Sequence, residues 1–194
     1  MCGCVKFRAV RLLLTAALLV PIFPSIALGQ RTGIDLDGKR VNPFDVASGK
    51  IVVLIFVRRD CPVSSRYAPL IQQISARHEQ DASFWLIFPD KEETPETIHE
   101  YLRQYNYRLP ALRDPAHALA RLAHVQITPE VAVFARSRRL IYDGRIDNWY
   151  IEPGRARPAP TTYELEEAIE AALAGNAPRE AQVTGVGCYI SDIE

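Results

Sequence analysis

The stretch Phe56-Val-Arg-Arg-Asp-Cys-Pro-Val-Ser-Ser-Arg-Tyr-Ala-Pro69 puts Cys61 directly after an apolar run and directly before residues with helical spacing. A sulfur at a helix N-terminus faces unpaired N–H groups and the positive end of the helix dipole. The thiolate is therefore favoured, and the pKa falls below the usual value of about 8.5. Arg58, Arg59 and Arg66 add positive charge nearby, whereas Asp60 opposes ionisation unless it caps the helix. These residues predict nucleophilic sulfur chemistry at Cys61, directed at a disulfide or an oxidant. The competing reading is a small, inert side chain, since free cysteines are among the most buried residues.

Such a sulfur needs a second thiol to complete a redox cycle. The nearest place for one is three residues on, where Cys61-Pro-Val-Ser64 carries a hydroxyl, so local dithiol chemistry is excluded. Of the other cysteines, Cys2 and Cys4 lie in a segment that reads as an export leader. There Lys6, Arg8 and Arg11 precede the apolar run Leu12 to Val20, and Ala27 and Gly29 offer small residues for cleavage after Gly29. Pro21 and Pro24 interrupt the run, which is short against the roughly 20 residues of a membrane span. The expectation is an exported chain, periplasmic or secreted, with no stable membrane insertion once cleaved; an uncleaved segment would leave it membrane-anchored.

Cys61 and Cys188 then remain, and in an oxidising compartment two cysteines form a structural disulfide or a redox pair. Cys188 stands in Gly185-Val-Gly-Cys188, a flexible approach at the end of the chain. If this tail folds back, Cys188 resolves a mixed disulfide or sulfenate on Cys61. The alternatives are a static bridge pinning the tail, and no bond to Cys61 at all.

The elements that must position these sulfurs are legible as alternating patterns. The chain has 194 residues, with 23 Lys+Arg against 23 Asp+Glu. That balance suits one ordinary globular domain and argues against a nucleic-acid partner, which calls for a basic face. Ile51 to Val57 and Ser83 to Pro89 read as strands buried on both faces. Ser64 to Gln80 reads as a helix with a kink point at Pro69, and Thr94-Pro95-Glu96 opens another with a cap and an N-terminal proline. Asp114-Pro115 starts a shorter helix through Ala123. Glu130 to Ala135 and Leu140 to Ile146 read as an antiparallel hairpin, and Thr161 or Thr162 caps a last helix ending at Gly175. The segment Ile151 to Thr162 reads as a solvated connection. The expected organisation is a leader over 1–29, a domain over 30–175, and a tail over 176–194 carrying Cys188.

In this order, β-α-β-α-α-β-β-α, the chain resembles the thioredoxin-like redoxins, the group that includes the alkyl hydroperoxide reductase/thiol-specific antioxidant (AhpC/TSA) and exported thiol-oxidoreductase families. The resemblance covers about residues 33 to 174. It rests on Cys61-Pro62 after the first long strand, Thr128-Pro129 before the third, and the helix inserted between them. It implies an α/β thioredoxin-like fold with a central mixed β-sheet flanked by helices, and a cis bond at Pro129 packed beside the reactive sulfur. It also implies a disulfide-bearing protein or small oxidant as substrate, bound near Pro62, Arg66, Thr128 and Pro129. The electron donor is left open. Arg58 stands where peroxiredoxins usually place a threonine, which argues against efficient peroxidase activity.

Glu130, next to Pro129, is a candidate proton acceptor for the sulfur, or else a strand-end surface residue. Arg145 and Asp147 are candidates to pair with one another, and Trp149 and Tyr150 to form an apolar lip. No cofactor and no metal are expected. The rival reading is a copper carrier using Cys61, Cys188 and His124 as a soft ligand set; His78, His99 and His117 are expected on helix surfaces. A third reading is an interaction domain that retains the fold without catalysis.

Overall fold

The computed structural model describes residues 1–3, 31–47, 49–191 and 193. The expected leader lies, beyond its first three residues, outside the described chain. β1 (Gly33–Ile34), β2 (Arg40–Val41) and α1 (Pro43–Val46) lead into β3 (Ile51–Phe56), α2 (Pro62–Arg77) and β4 (Ala82–Phe88). Then follow α3 (Pro95–Gln104), β5 (Ala111–Arg113), α4 (Ala118–Leu122), β6 (Ile127–Thr128), β7 (Glu130–Phe134) and β8 (Leu140–Gly144). The chain ends with the hairpin β9 (Tyr150–Glu152) and β10 (Arg155–Ala156), α5 (Glu164–Leu173), β11 (Gln182–Val183) and β12 (Cys188–Tyr189).

The main sheet has the order β11-β8-β7-β3-β4-β5-β1-β2 and is mixed. β3 runs parallel to β4 and antiparallel to β7, which places it in the centre, as its unbroken apolar run requires. Alternate residues of β3 divide the core. Ile51, Val53 and Ile55 join the cluster formed with Tyr67, Ala68 and Ile71 of α2, Ile98 and Tyr101 of α3, and Leu165 and Ile169 of α5. Val52, Leu54 and Phe56 face Phe44 of α1 and Leu119 and Ala120 of α4. Helices thus cover both faces, and the carboxyl end of β3 delivers Cys61 into a closed interior.

α2 runs unbroken through Pro69, which is exposed. α4 is organised from its amino end by Asp114, whose carboxylate accepts the N–H groups of Ala118, Leu119 and Ala120. Beside it His117 is buried and its ring bonds the Pro89 carbonyl, so the expectation of a surface histidine is corrected: the ring fills the junction between β4 and α4. The expected connection 151–162 is largely exposed but carries the β9–β10 hairpin. Among the described residues, no helix is long and apolar enough to cross a membrane.

Candidate functional site

Cys61 is the N-cap of α2, with extended backbone angles and no side-chain cap, so the first turn of the helix keeps its N–H groups for the sulfur. The side chain is wholly buried. Its sulfur lies 3.1 Å from the carbonyl oxygen of Thr128, to which the thiol donates. Burial alone pushes the Cys61 thiol up. The nearby Cys188 thiol, the N–H and hydroxyl of Ser64 and the N–H of Val63 favour the thiolate, outweigh that burial and leave the pKa lowered. Ser64, which replaces a second local cysteine, also accepts the Arg58 N–H at 3.4 Å, joining the end of β3 to the first turn of α2.

Cys188 reaches this place because the tail folds back. β12 pairs antiparallel with β6, Cys188 opposite Thr128 and Tyr189 opposite Ile127. The Thr128 hydroxyl adds a bond to the Cys188 carbonyl at 3.2 Å, and the Ile190 N–H donates to the Gln126 carbonyl. Both cysteines are free thiols, and they are close enough to share a hydrogen bond. Burial, that hydrogen bond and the negative charge of the Cys61 thiolate push the half-buried Cys188 up to about 12. The two thiols are thus shifted in opposite directions, Cys61 down and Cys188 up.

The glycines of the tail serve close approach. A Cβ on Gly187 would stand 1.9 Å from the Thr128 carbonyl oxygen, and one on Gly185 would stand 2.8 Å from Cγ of Glu130. Glu130 is buried, and its carboxylate accepts the N–H groups of Gln126 and Ile127 at 3.3 Å and of Gly185 at 2.7 Å. It clamps the loop before Pro129 and the start of the tail together. Burial raises its pKa despite those three donors.

Arg58 turns away from Cys61. Its guanidinium donates to the Tyr189 carbonyl at 3.1 Å and pairs with Asp60 and Asp90 at 3.0 and 2.9 Å, so it secures β12. Arg59 pairs with Glu93. Pro62 and Arg66 are exposed and border a cavity of about 300 Å³ that also touches Tyr150 and Cys188. The Thr128–Pro129 bond is cis. Arg145 pairs with Glu164 rather than Asp147, and Asp147 accepts the Tyr67 hydroxyl and the Trp149 N–H. Trp149 and Tyr150 pack on the Tyr67 ring. His124 is exposed and lies 3.7 Å from Asp143, and among the described residues no three His, Cys, Asp or Glu side chains gather as a metal site.

This geometry can be set beside known proteins. A family model described as thioredoxin-like matches residues 49–140, the span from the start of β3 to the start of β8. The fold is thioredoxin-like. Solved structures agree on the thioredoxin-like fold. An uncharacterized conserved protein from Geobacillus kaustophilus superposes with a TM-score of 0.70 at 24% identity, over 82% of this chain and 86% of that one. A hypothetical protein from Sinorhizobium meliloti 1021 gives 0.67 at 24%, over 86% and 94%. DsbF of Mycobacterium tuberculosis, solved in mixed oxidised and reduced forms, gives 0.55 at 20%, over 75% and 95%. No match is found among curated proteins. The tail strand β12, which carries Cys188 to the neighbourhood of Cys61, lies outside the matched residues 49–140.

Proposed function

We propose that this chain is an exported thiol–disulfide oxidoreductase in which Cys61 is the nucleophile and Cys188 the resolving thiol. The observation that carries the reading is the pairing of β12 with β6, which brings Cys188 of the returning tail beside Cys61 at the cap of α2, near enough for each sulfur to shift the other's ionisation. In the first step the tail swings aside and the Cys61 thiolate attacks a substrate disulfide; a substrate sulfur leaves as thiolate and a mixed disulfide forms on Cys61. Cys188 loses its proton and attacks the Cys61 sulfur, expelling the second substrate thiolate and closing the Cys61–Cys188 disulfide. The substrate gains two electrons and ends as two thiols. Thr128 and Pro129 shape the wall beside the sulfur, Pro62 and Arg66 the rim, and Glu130 positions the tail.

The fold of DsbF, captured both oxidised and reduced, supports the reading by likeness, and the basic, apolar N-terminal segment supports export. The test uses a model protein disulfide and the two single variants. Cys61→Ser should abolish its reduction, and Cys188→Ser should accumulate a mixed disulfide on Cys61 detectable by mass spectrometry. Wild-type turnover by Cys188→Ser, with an external thiol present, would remove the resolving role.

A further inference from the structure

The two sulfurs differ in accessibility in a way that bears on how the oxidised pair is reset. Cys61 is sealed, whereas Cys188 is half-buried and lines the cavity of about 300 Å³. The other walls include Pro62, Tyr150 and, from the exposed β9–β10 hairpin, Pro153 and Ala156, with Arg66 at the rim. Cys188 is among the residues that line this cavity and Cys61 is not.

We propose that the reducing partner is a dithiol protein or peptide that attacks the Cys61–Cys188 disulfide at Cys188, seating the apolar residue beside its own cysteine in this cavity. The inference rests on the redox pairing proposed above and assigns the entry point of its second half-reaction. The partner's thiolate attacks the Cys188 sulfur, the Cys61–Cys188 bond breaks, and the electron pair leaves on Cys61 as thiolate. A new disulfide then joins the partner to Cys188. The partner's second thiol loses its proton and attacks the partner's own sulfur in that bond, and Cys188 leaves and takes up a proton. The partner ends as a disulfide and both cysteines of this chain are reduced, a transfer of two electrons.

The direction of cleavage follows from the site. A disulfide breaks faster towards the sulfur that better carries negative charge. The Cys61 sulfur retains the Ser64 and Val63 donors that favour its thiolate. Cys188 has no such set of donors and is held above the ordinary thiol range. Access and leaving-group quality therefore select the same bond-breaking event.

The experiment starts from oxidised wild-type protein, with closure of the disulfide verified by the loss of two hydrogens in the intact mass. The protein is mixed with a blocked Leu-Cys-Gly peptide or a Gln-Cys-Gly peptide, quenched with acid and N-ethylmaleimide, and mapped. The adduct is expected on Cys188, forming about tenfold faster with the leucine peptide, a factor that partial burial of one Leu side chain supports. Ala156→Phe, which fills the cavity from an exposed hairpin, should erase that preference. An adduct on Cys61, or equal rates for the two peptides, overturns the proposal and leaves the redox pairing standing. A wild-type protein that never closes the disulfide removes the pairing and this inference together.

Discussion

The carbonyl oxygen of Thr128 accepts a hydrogen bond from the Cys61 thiol at 3.1 Å. Only the protonated sulfur can donate to it, so this contact favours the thiol, while Ser64, Val63 and Cys188 favour the thiolate. Ionisation therefore gives up the bond to the Thr128 carbonyl of β6 and gains from the groups at the start of α2.

That balance gives a pH dependence with a definite sign. Cys61 is lowered from the ordinary 9.0, so its contribution to stability is fully present above 9.0 and is lost as pH falls through the folded value. Cys188 is raised to about 12, so its contribution is fully present below 9.0 and is lost as pH rises through about 12. The stability difference between reduced wild type and a Cys61→Ser/Cys188→Ser double variant should rise as pH approaches 9.0 and fall beyond it. Urea unfolding across that range checks both limbs, and a flat difference refutes the assignment.

Gly187→Ala tests the returning tail. The added methyl collides with the Thr128 carbonyl oxygen, and relief of overpacking of this kind typically costs about 1–3 kcal/mol. β12 should detach from β6, exposing Cys61. Iodoacetamide should then label Cys61 faster than in wild type, while oxidation to the Cys61–Cys188 disulfide slows. Unchanged labelling would mean that the tail does not shield the sulfur.

Glu130→Gln tests the clamp. An amide has one acceptor oxygen, so it can serve either the Gln126 and Ile127 N–H groups or that of Gly185, and its NH₂ then opposes the donor on the other side. The expected loss is about 1–3 kcal/mol at mildly acidic pH, where the hydroxyl oxygen of a protonated Glu130 still has acceptor capacity that an NH₂ lacks. Because burial raises the Glu130 pKa, its ionisation opposes folding, and the loss should shrink as pH rises through the folded value. Hydrogen exchange at the Gly185 amide, expected to accelerate, separates tail release from general destabilisation.

Tyr67→Phe addresses the buried carboxylate beside α2. Asp147 would keep only the Trp149 N–H, and its second oxygen already lacks a protein partner. The expected cost is about 1–3 kcal/mol, the penalty for a buried polar group left short of a donor. Asp147→Asn in the same background should recover part of it, since burial already raises the Asp147 pKa. Denaturant midpoints of the three proteins decide this.

The residues that make the central layer were readable because their patterns are long. Ile51 to Val57 is apolar without a break, and β3 occupies 51–56. β5 has three residues and β1 and β2 have two each, too short for any periodicity to register. Gly185 and Gly187 read as flexible, whereas packing against Glu130 and Thr128 is what requires them. A missing side chain signals both uses equally. Likewise, Arg58, three residues before Cys61, suggested a thiolate partner, yet its carboxylate and carbonyl partners lie on Asp60, Asp90 and the tail. Proximity along the chain carries no information about which way a long side chain turns.

β11 is one of the two edge strands of the main sheet, lying parallel to β8 beside Gly144, where a Cβ would strike the Val183 carbonyl. Were the whole tail to peel away, β8 would become a bare edge whose unpaired N–H and C=O groups can template pairing with another molecule. A movement confined to β12 avoids that hazard, and the Glu130 bond to the Gly185 N–H lies where the two tail strands part. In the proposed cycle the fold thereby separates a segment that opens from one that stays shut, and a protein cycling without that division would self-associate at each turnover.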